Sequence, residues 1–306
     1  QHAARLVEAI RGGQWSGHAS QLSEEHVEWT FIDEIARATE APAMAPSTIT
    51  AGPAEHAENL DLGAPGDSAA PLRTKTAERA EDLDLGARQI ILQRRSAVSL
   101  DGLSSIDGPA FFEMLERTMP GAHAPWDALW WTPRIHLAIF VHRVNGVAPG
   151  IYLLGRDREA IGRLKEACGR EFLWEAAHDE LPFMLLARGE CRALAARLSC
   201  DQTIAADGFF SLGMIAEFDA ALETFGPWFY RQLFWESGVV GQTLYLEAEA
   251  AGARATGIGC FYDDPVHDVL GLQGHAFQSL YHFTVGMPVD DTRLMTQPGY
   301  EWESVR

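Results

Sequence analysis

From residue 88 onward the apolar positions fall into short, dense runs of strand and helix length, and this pattern sets out a packed α+β domain. Ile135 to Val144 alternates, Asn145-Gly146 and Pro149-Gly150 supply turn chemistry, and Ile151 to Leu154 resumes the run, which predicts a hairpin. Leu181 to Ala187 and Phe209 to Phe218 read as buried strands, and Ser279 to Val285 as the last strand. Ile161, Leu164 and Cys168 mark a short amphipathic helix after Asp157, and Val266 to Leu270 marks another. Trp228 to Ala251 predicts one or two long helices, buried because no clean polar face interrupts Val239 to Leu246. Strands joined by hairpins and by crossovers of mixed length fit α+β and not a doubly wound Rossmann sheet.

The N-terminal part is patterned differently. Residues 1–40 hold two helix-like stretches, Ala3 to Arg11 and Glu28 to Thr39, parted by a Gly/Ser-rich break around Gly12 to Ser20. There is no initiator Met and the chain opens inside an amphipathic pattern, so it is expected to be part of a longer product, with 1–40 the tail of a preceding lobe. Residues 41–87 are rich in Ala, Pro, Ser, Thr and Gly; such a composition buries too little apolar surface to offset ordering entropy and reads as a linker. An echo, Leu60-Asp61-Leu62-Gly63-Ala64 and Leu83-Asp84-Leu85-Gly86-Ala87, is too short for a repeat array. The expected organisation is a helical segment (1–40), a linker (41–87) and a main domain (88–306).

Composition narrows the function classes. A formal net charge of -19 argues against a nucleic-acid partner, because phosphate backbones demand dense positive charge. No apolar run approaches a spanning helix and the N-terminus is no secretory signal, so neither a membrane partner nor export is expected. Cys168, Cys191, Cys200 and Cys260 are scattered without a CxxC pair, which argues against a structural metal and a disulfide framework and makes a reducing cytoplasm the default compartment.

Against that acidic background the triplet Arg94-Arg95-Ser96, after Ile90-Ile91-Leu92, stands out. Guanidinium forks match phosphate oxygens two at a time and a serine hydroxyl adds a donor, so the triplet reads as an anion hook. Arginines at a helix C-terminus also do no more than satisfy that end, so both readings stand. Arg293, after the last strand, is a second candidate hook. Gly257 and Gly259, in Thr256-Gly257-Ile258-Gly259-Cys260-Phe261, either let a backbone approach a flat ring or form a plain turn; the third glycine of a dinucleotide fingerprint is missing. Trp126, Trp130, Trp131, Trp228 and Trp235 read as core or interface, or as walls of a flat pocket. His267 and His282 have no metal spacing, and Asp263-Asp264 reads as a helix cap. No GxSxG, HExxH or P-loop signature occurs.

Taken in order, these segments resemble the nitroreductase-like FMN-dependent superfamily, in particular the group related to SagB-type azoline dehydrogenases with its tandem two-lobed members. The resemblance is carried by Arg94-Arg95-Ser96, by Val144 to Tyr152, by Glu236-Ser237-Gly238-Val239-Val240-Gly241-Gln242, by Gly257 to Asp264, and by Val285-Gly286-Met287-Pro288 followed by Arg293. It implies a mixed or antiparallel sheet flanked by helices, and FMN held between two such lobes in a homodimer or pseudo-dimer. Arg94, Arg95, Ser96 and Arg293 then match the phosphate-binding positions, Gly257, Ile258, Gly259 and Cys260 lie against the isoalloxazine, and Glu236 lines the flavin. The chemistry implied is the flavin's: hydride arrives from NAD(P)H or an azoline ring and passes to a small conjugated acceptor, with no dedicated protein acid or base. The sequence departs from the family at Val98, where an arginine is common. It departs again at Ala128 to Arg134, where Trp130 and Trp131 replace a small-residue stretch and border the ring or substrate space. A lobe that has lost activity and serves as an assembly partner is the alternative.

Overall fold

The computed structural model describes residues 8, 11–13, 29–42, 86–293 and 295. The chain divides into two compact units, Gln1–Ala38 and Thr39–Arg306. In the first, helix α1 (Ile32–Ala38) carries Asp33 and Glu34 in its first turn and Arg37 in its last, each sign placed to suit the helix dipole. Most of the predicted helix Ala3 to Arg11, most of the linker, the first copy of the echo and Leu83 to Leu85 of the second lie outside the described residues; of that helix, Glu8 and Arg11 are described and are helical.

The second unit holds, in order, α2 (Ala87–Gln93), β1 (Ile106–Asp107), α3 (Gly108–Thr118), β2 (Ile135–Val141), β3 (Val144–Asn145), β4 (Gly150–Leu154) and α4 (Ala160–Ala167). It continues with β5 (Glu175–Ala176), β6 (Phe183–Arg188), α5 (Arg192–Leu198), α6 (Ile204–Asp207), β7 (Phe210–Glu217) and α7 (Phe218–Phe225). The long helix α8 (Tyr230–Ala250) leads to β8 (Arg254–Ile258), α9 (Asp263–Leu270) and β9 (Phe277–Gly286). Seven strands form one sheet in the order β5-β6-β4-β2-β7-β9-β8, antiparallel at each pairing, and β1 and β3 form a small parallel pair.

The sheet is covered on both faces. Leu137, Ile139 and Val141 point to one layer with Phe111 and Met114 of α3 and Leu233, Val240 and Leu244 of α8. Ala138 and Phe140 point to the other, with Leu164 of α4, Leu198 of α5 and Val266 and Leu270 of α9. Cover on both faces explains why every residue of β2 and β7 is buried and most are apolar, the pattern expected of central strands in a three-layer domain.

Several sequence expectations need correction. Gly257 and Ile258 belong to edge strand β8, paired with Phe283 and His282 of β9, and form no turn. Helix α8 is not buried all round: Phe234 and Trp235 are exposed, whereas Gln232, Glu236 and Glu249 are buried. Polarity does not track exposure along it, which is why its open stripe was invisible in the sequence. Asp263 and Asp264 occupy the first turn of α9, while Tyr262 is the N-cap residue. Cys200 and Cys260 pair as a disulfide across 60 residues, with their Cα atoms 5.9 Å apart. Their wide spacing hid the pair, because only packing brings the end of α5 beside the end of β8, where the Tyr262 amide donates to Leu198 O at 2.9 Å.

Candidate functional site

The Arg94-Arg95-Ser96 triplet leaves the end of α2 and runs beside the start of β8. Ser96 bridges to Ala255 in parallel fashion and the Ala97 amide donates to Ala255 O at 3.0 Å. Thr256 Oγ1 closes the contact by donating to Ala97 O at 2.7 Å. Helix α8 supplies Tyr245, whose hydroxyl shares a 2.7 Å hydrogen bond with Ser96 Oγ and accepts the Gly257 amide at 2.9 Å. The Arg94 guanidinium lies 5.0 Å over the Tyr245 ring, a cation–π contact. Three segments far apart in sequence therefore meet at one corner, through Arg94, Ser96, Tyr245 and Gly257.

The charges at this corner differ in availability. Arg95 Nη1 donates to Leu92 O and Arg94 O at 2.9 and 2.7 Å, so its fork satisfies the carbonyls at the end of α2. Arg94 makes no side-chain hydrogen bond or ion pair among the described residues, and Ser96 is exposed. Glu249 of α8 faces the same corner. Burial pushes its carboxyl up, opposed by Arg254, by a hydrogen bond from Gln93, and by Arg94 and Arg95. Arg254, at the start of β8, is 34% exposed and lies 3.7 Å from Asp290. It is the cation that sequence reasoning missed; its only signal was its place two residues before Thr256.

Arg293 does not join this set. Its Nε and Nη2 grip the Asp291 carboxylate at 2.8 and 2.7 Å and the side chain is 87% exposed. Gly257 is needed where it stands: a Cβ there would lie 2.4 Å from the Tyr281 hydroxyl and 3.0 Å from its ring. Tyr281 thus covers Gly257, Ile258 is buried, and Gly259 and Cys260 are the exposed end of the stretch.

Glu236 is engaged elsewhere. Its carboxylate is fully buried and accepts from Trp131 Nε1 at 2.9 Å, from the amides of Arg134 and Ile135 at 3.1 Å, and from Arg156 Nη1 at 2.5 Å. Trp131 is accordingly a buried anchor. Trp130 is 63% exposed and stacks on Trp228 with centroids 6.2 Å apart. Beside Glu236 a cleft of about 520 Å³ is lined by Arg134, Arg156, Asp157, Arg163 and Glu217, and neither tryptophan lines it. Glu217 is held down at about 2: burial pushes it up, but hydrogen bonds from His136, Arg163 and Arg134 outweigh that. Within this cleft Arg134 and Arg163 pair with Glu217, and Arg163 also with Asp157, while Arg156 pairs with Glu236 behind it. A second groove, about 880 Å³, runs along the open stripe of α8, between Phe234, Trp235, Val239 and Leu246 on one side and His123 and Pro125 on the other.

Among the described residues no group of three or more His, Cys, Asp or Glu side chains is arranged to hold a metal ion, and no helix is long and apolar enough to cross a membrane.

No protein-family model and no curated protein matches the sequence. Solved structures do match. A protein from Anabaena variabilis assigned as a nitroreductase superposes with a TM-score of 0.52 at 21% identity, over 66% of this chain and 38% of that one. This chain therefore spans well under half the length of that protein. Nitroreductase A from Vibrio parahaemolyticus gives a TM-score of 0.41 at 14% identity, covering 69% of this chain and 70% of that one. A chain of the E. coli microcin synthetase McbBCD complex with truncated pro-MccB17 bound gives 0.46 at 15%, covering 84% and 87%. The helix-flanked antiparallel sheet is nitroreductase-like.

Proposed function

We propose that this chain is a lobe of an FMN-dependent oxidoreductase of nitroreductase type, in which Arg94, Ser96 and Arg254 hold the flavin phosphate. The observation that carries the reading is the corner itself: a guanidinium packed on Tyr245 with no hydrogen-bonded partner among the described residues, an exposed hydroxyl and a second, partly exposed arginine around the entry to β8. Such a set suits a phosphate dianion, which takes charge-assisted hydrogen bonds from several donors. Bound FMN supplies hydride transfer to or from a small conjugated substrate, with NAD(P)H a fitting electron donor. Tyr245 holds the β8 backbone against the arginine segment, and Gly259 and Cys260 offer the exposed backbone edge beside it. The open apolar stripe of α8 suits a second lobe, as a homodimer or pseudo-dimer, which completes the enclosure of the ring.

The test is titration of the full chain with FMN, followed by quenching of flavin fluorescence. Saturable binding is expected, and Arg94→Ala is expected to weaken it by about tenfold to a hundredfold with the fold intact. Equal affinity in that variant overturns the phosphate role.

A second reading has its own support. The Gly257 amide is already held by Tyr245 and its α-carbon is covered by Tyr281, so part of the surface a flavin ring would use is filled from within the chain. A lobe of this kind serves as an assembly partner without turnover, and a colourless protein that takes up no FMN would favour it.

A further inference from the structure

We propose that Cys200 and Cys260 form a reversible thiol–disulfide site, and that its reduction by a dithiol frees the loop Gly259–Tyr262 that follows β8.

Accessibility separates this pair from the other cysteines. Cys260 is exposed and Cys200 half-buried. Cys168 and Cys191 are free but buried, and burial pushes their thiols up to about 11 and about 12, which leaves them unreactive near neutrality. Cys200 also sits in an uncommon backbone conformation. Cys200 and Asp201 are consecutive non-glycine residues in the left-handed region, at φ of 55° and 56°, a conformation that costs energy without a glycine. Exposed or strained disulfides are the labile ones.

The rest of the loop is lightly tied. Gln202 Nε2 donates to Cys260 O at 3.0 Å, the Tyr262 amide donates to Leu198 O at 2.9 Å, and the Phe261 ring stacks on His282 with centroids 4.6 Å apart. Immediately upstream, Gly257 and Ile258 are paired into the sheet against β9. Upstream, opening therefore stops at Ile258.

The reduction balances as an ordinary exchange. A thiolate of the donor attacks Cys260 Sγ, the disulfide breaks, and Cys200 leaves as a thiolate that takes up a proton. The donor's second thiol then displaces Cys260 from the mixed disulfide. The donor ends as a disulfide, two electrons poorer, and the protein gains two thiols. The substrate class is a dithiol, small or borne by a thioredoxin-like protein. Because Gly259 and Cys260 form the exposed end of the stretch assigned to the flavin edge, the redox state of the pair sets FMN affinity. That consequence rests on the proposed function, whereas the thiol chemistry does not.

The full chain, oxidised with glutathione disulfide, is treated with dithiothreitol in native buffer. Two thiols per chain are expected to become reactive to Ellman's reagent, peptide mapping is expected to assign them to Cys200 and Cys260, and reoxidation is expected to restore the crosslink. Hydrogen exchange at the amides of residues 259–262 is expected to rise by about tenfold or more while β9 stays protected. Cys260→Ser, or Cys200→Ser should the first fail to fold, is expected to show the fast exchange without reductant. Thiols that appear only with global unfolding, or loop exchange unaffected by reduction, overturn the proposal. FMN titration of both redox forms separates the two readings: normal thiol chemistry with unchanged FMN affinity overturns the coupling alone.

Discussion

Arg156 and Glu236 form an ion pair with both side chains at 0% exposure and 2.5 Å between Nη1 and Oε1. Arg156 further donates to Thr118 O and Ile135 O, and its guanidinium packs 4.6 Å over the Trp126 ring. Burial lowers the Arg156 guanidinium and the charge of Glu236 raises it again, so each charge is tolerated because of the other. Glu236→Ala is expected to cost about 3–5 kcal/mol by urea denaturation, because it strands a buried guanidinium. Replacing both residues with apolar side chains of similar size is expected to recover most of that loss. If Glu236 instead served the flavin, Glu236→Ala would weaken FMN binding without this stability penalty.

Tyr245 ties the arginine segment to β8. Tyr245→Phe removes the acceptor for the Gly257 amide and the partner of Ser96, but keeps the ring beneath Arg94. The expected cost is about 1 kcal/mol in folding stability, the usual worth of such hydrogen bonds. Faster hydrogen exchange at the Gly257 amide is expected to accompany it.

Stability is expected to fall on acidification from near neutrality. His142 and His282 are pushed down from 6.5 to about 4, chiefly by burial. Between those values the unfolded chain binds protons that the folded chain refuses, so stability is full above about 6.5 and declines as pH falls towards 4. Glu217 extends the decline: its folded value of about 2 lies below its ordinary 4.5, so its contribution is present above 4.5 and lost as pH falls through 2. Urea midpoints measured across this range are expected to slope downwards throughout. His142→Gln with His282→Gln is expected to flatten the upper part alone.

Gly257→Ala is expected to destabilise the domain by about 1–3 kcal/mol, the usual cost of overpacking, since the new methyl would meet the Tyr281 hydroxyl and ring. Tyr281→Phe removes the nearest atom, so the double variant is expected to regain part of that loss in thermal denaturation. An additive pair of effects would mean that the tyrosine is not what requires the glycine.

Local pattern placed most of the domain: the hairpin β2 to β4, strands β6, β7 and β9, and helices α4, α8 and α9 each lie where apolar spacing and turn residues put them, because side-chain period and turn chemistry are local properties, whereas the edge strands β5 and β8 carry too little of either to be read as strands. The position of the Arg94-Arg95-Ser96 hook at a helix end was legible for the same reason. Which of its charges is free was not, since Arg95 is used by carbonyls of its own segment while Arg94 faces Tyr245, a residue 151 positions away in a numbering that carries no distance information. Only packing could add Arg254 to the corner, withdraw Glu236 and Trp131 into a buried network, leave Phe234 and Trp235 outside, and join Cys200 to Cys260. Those outcomes depend on which surfaces long-range strand pairing brings together, and that is a property of the assembled layers and not of any window along the chain.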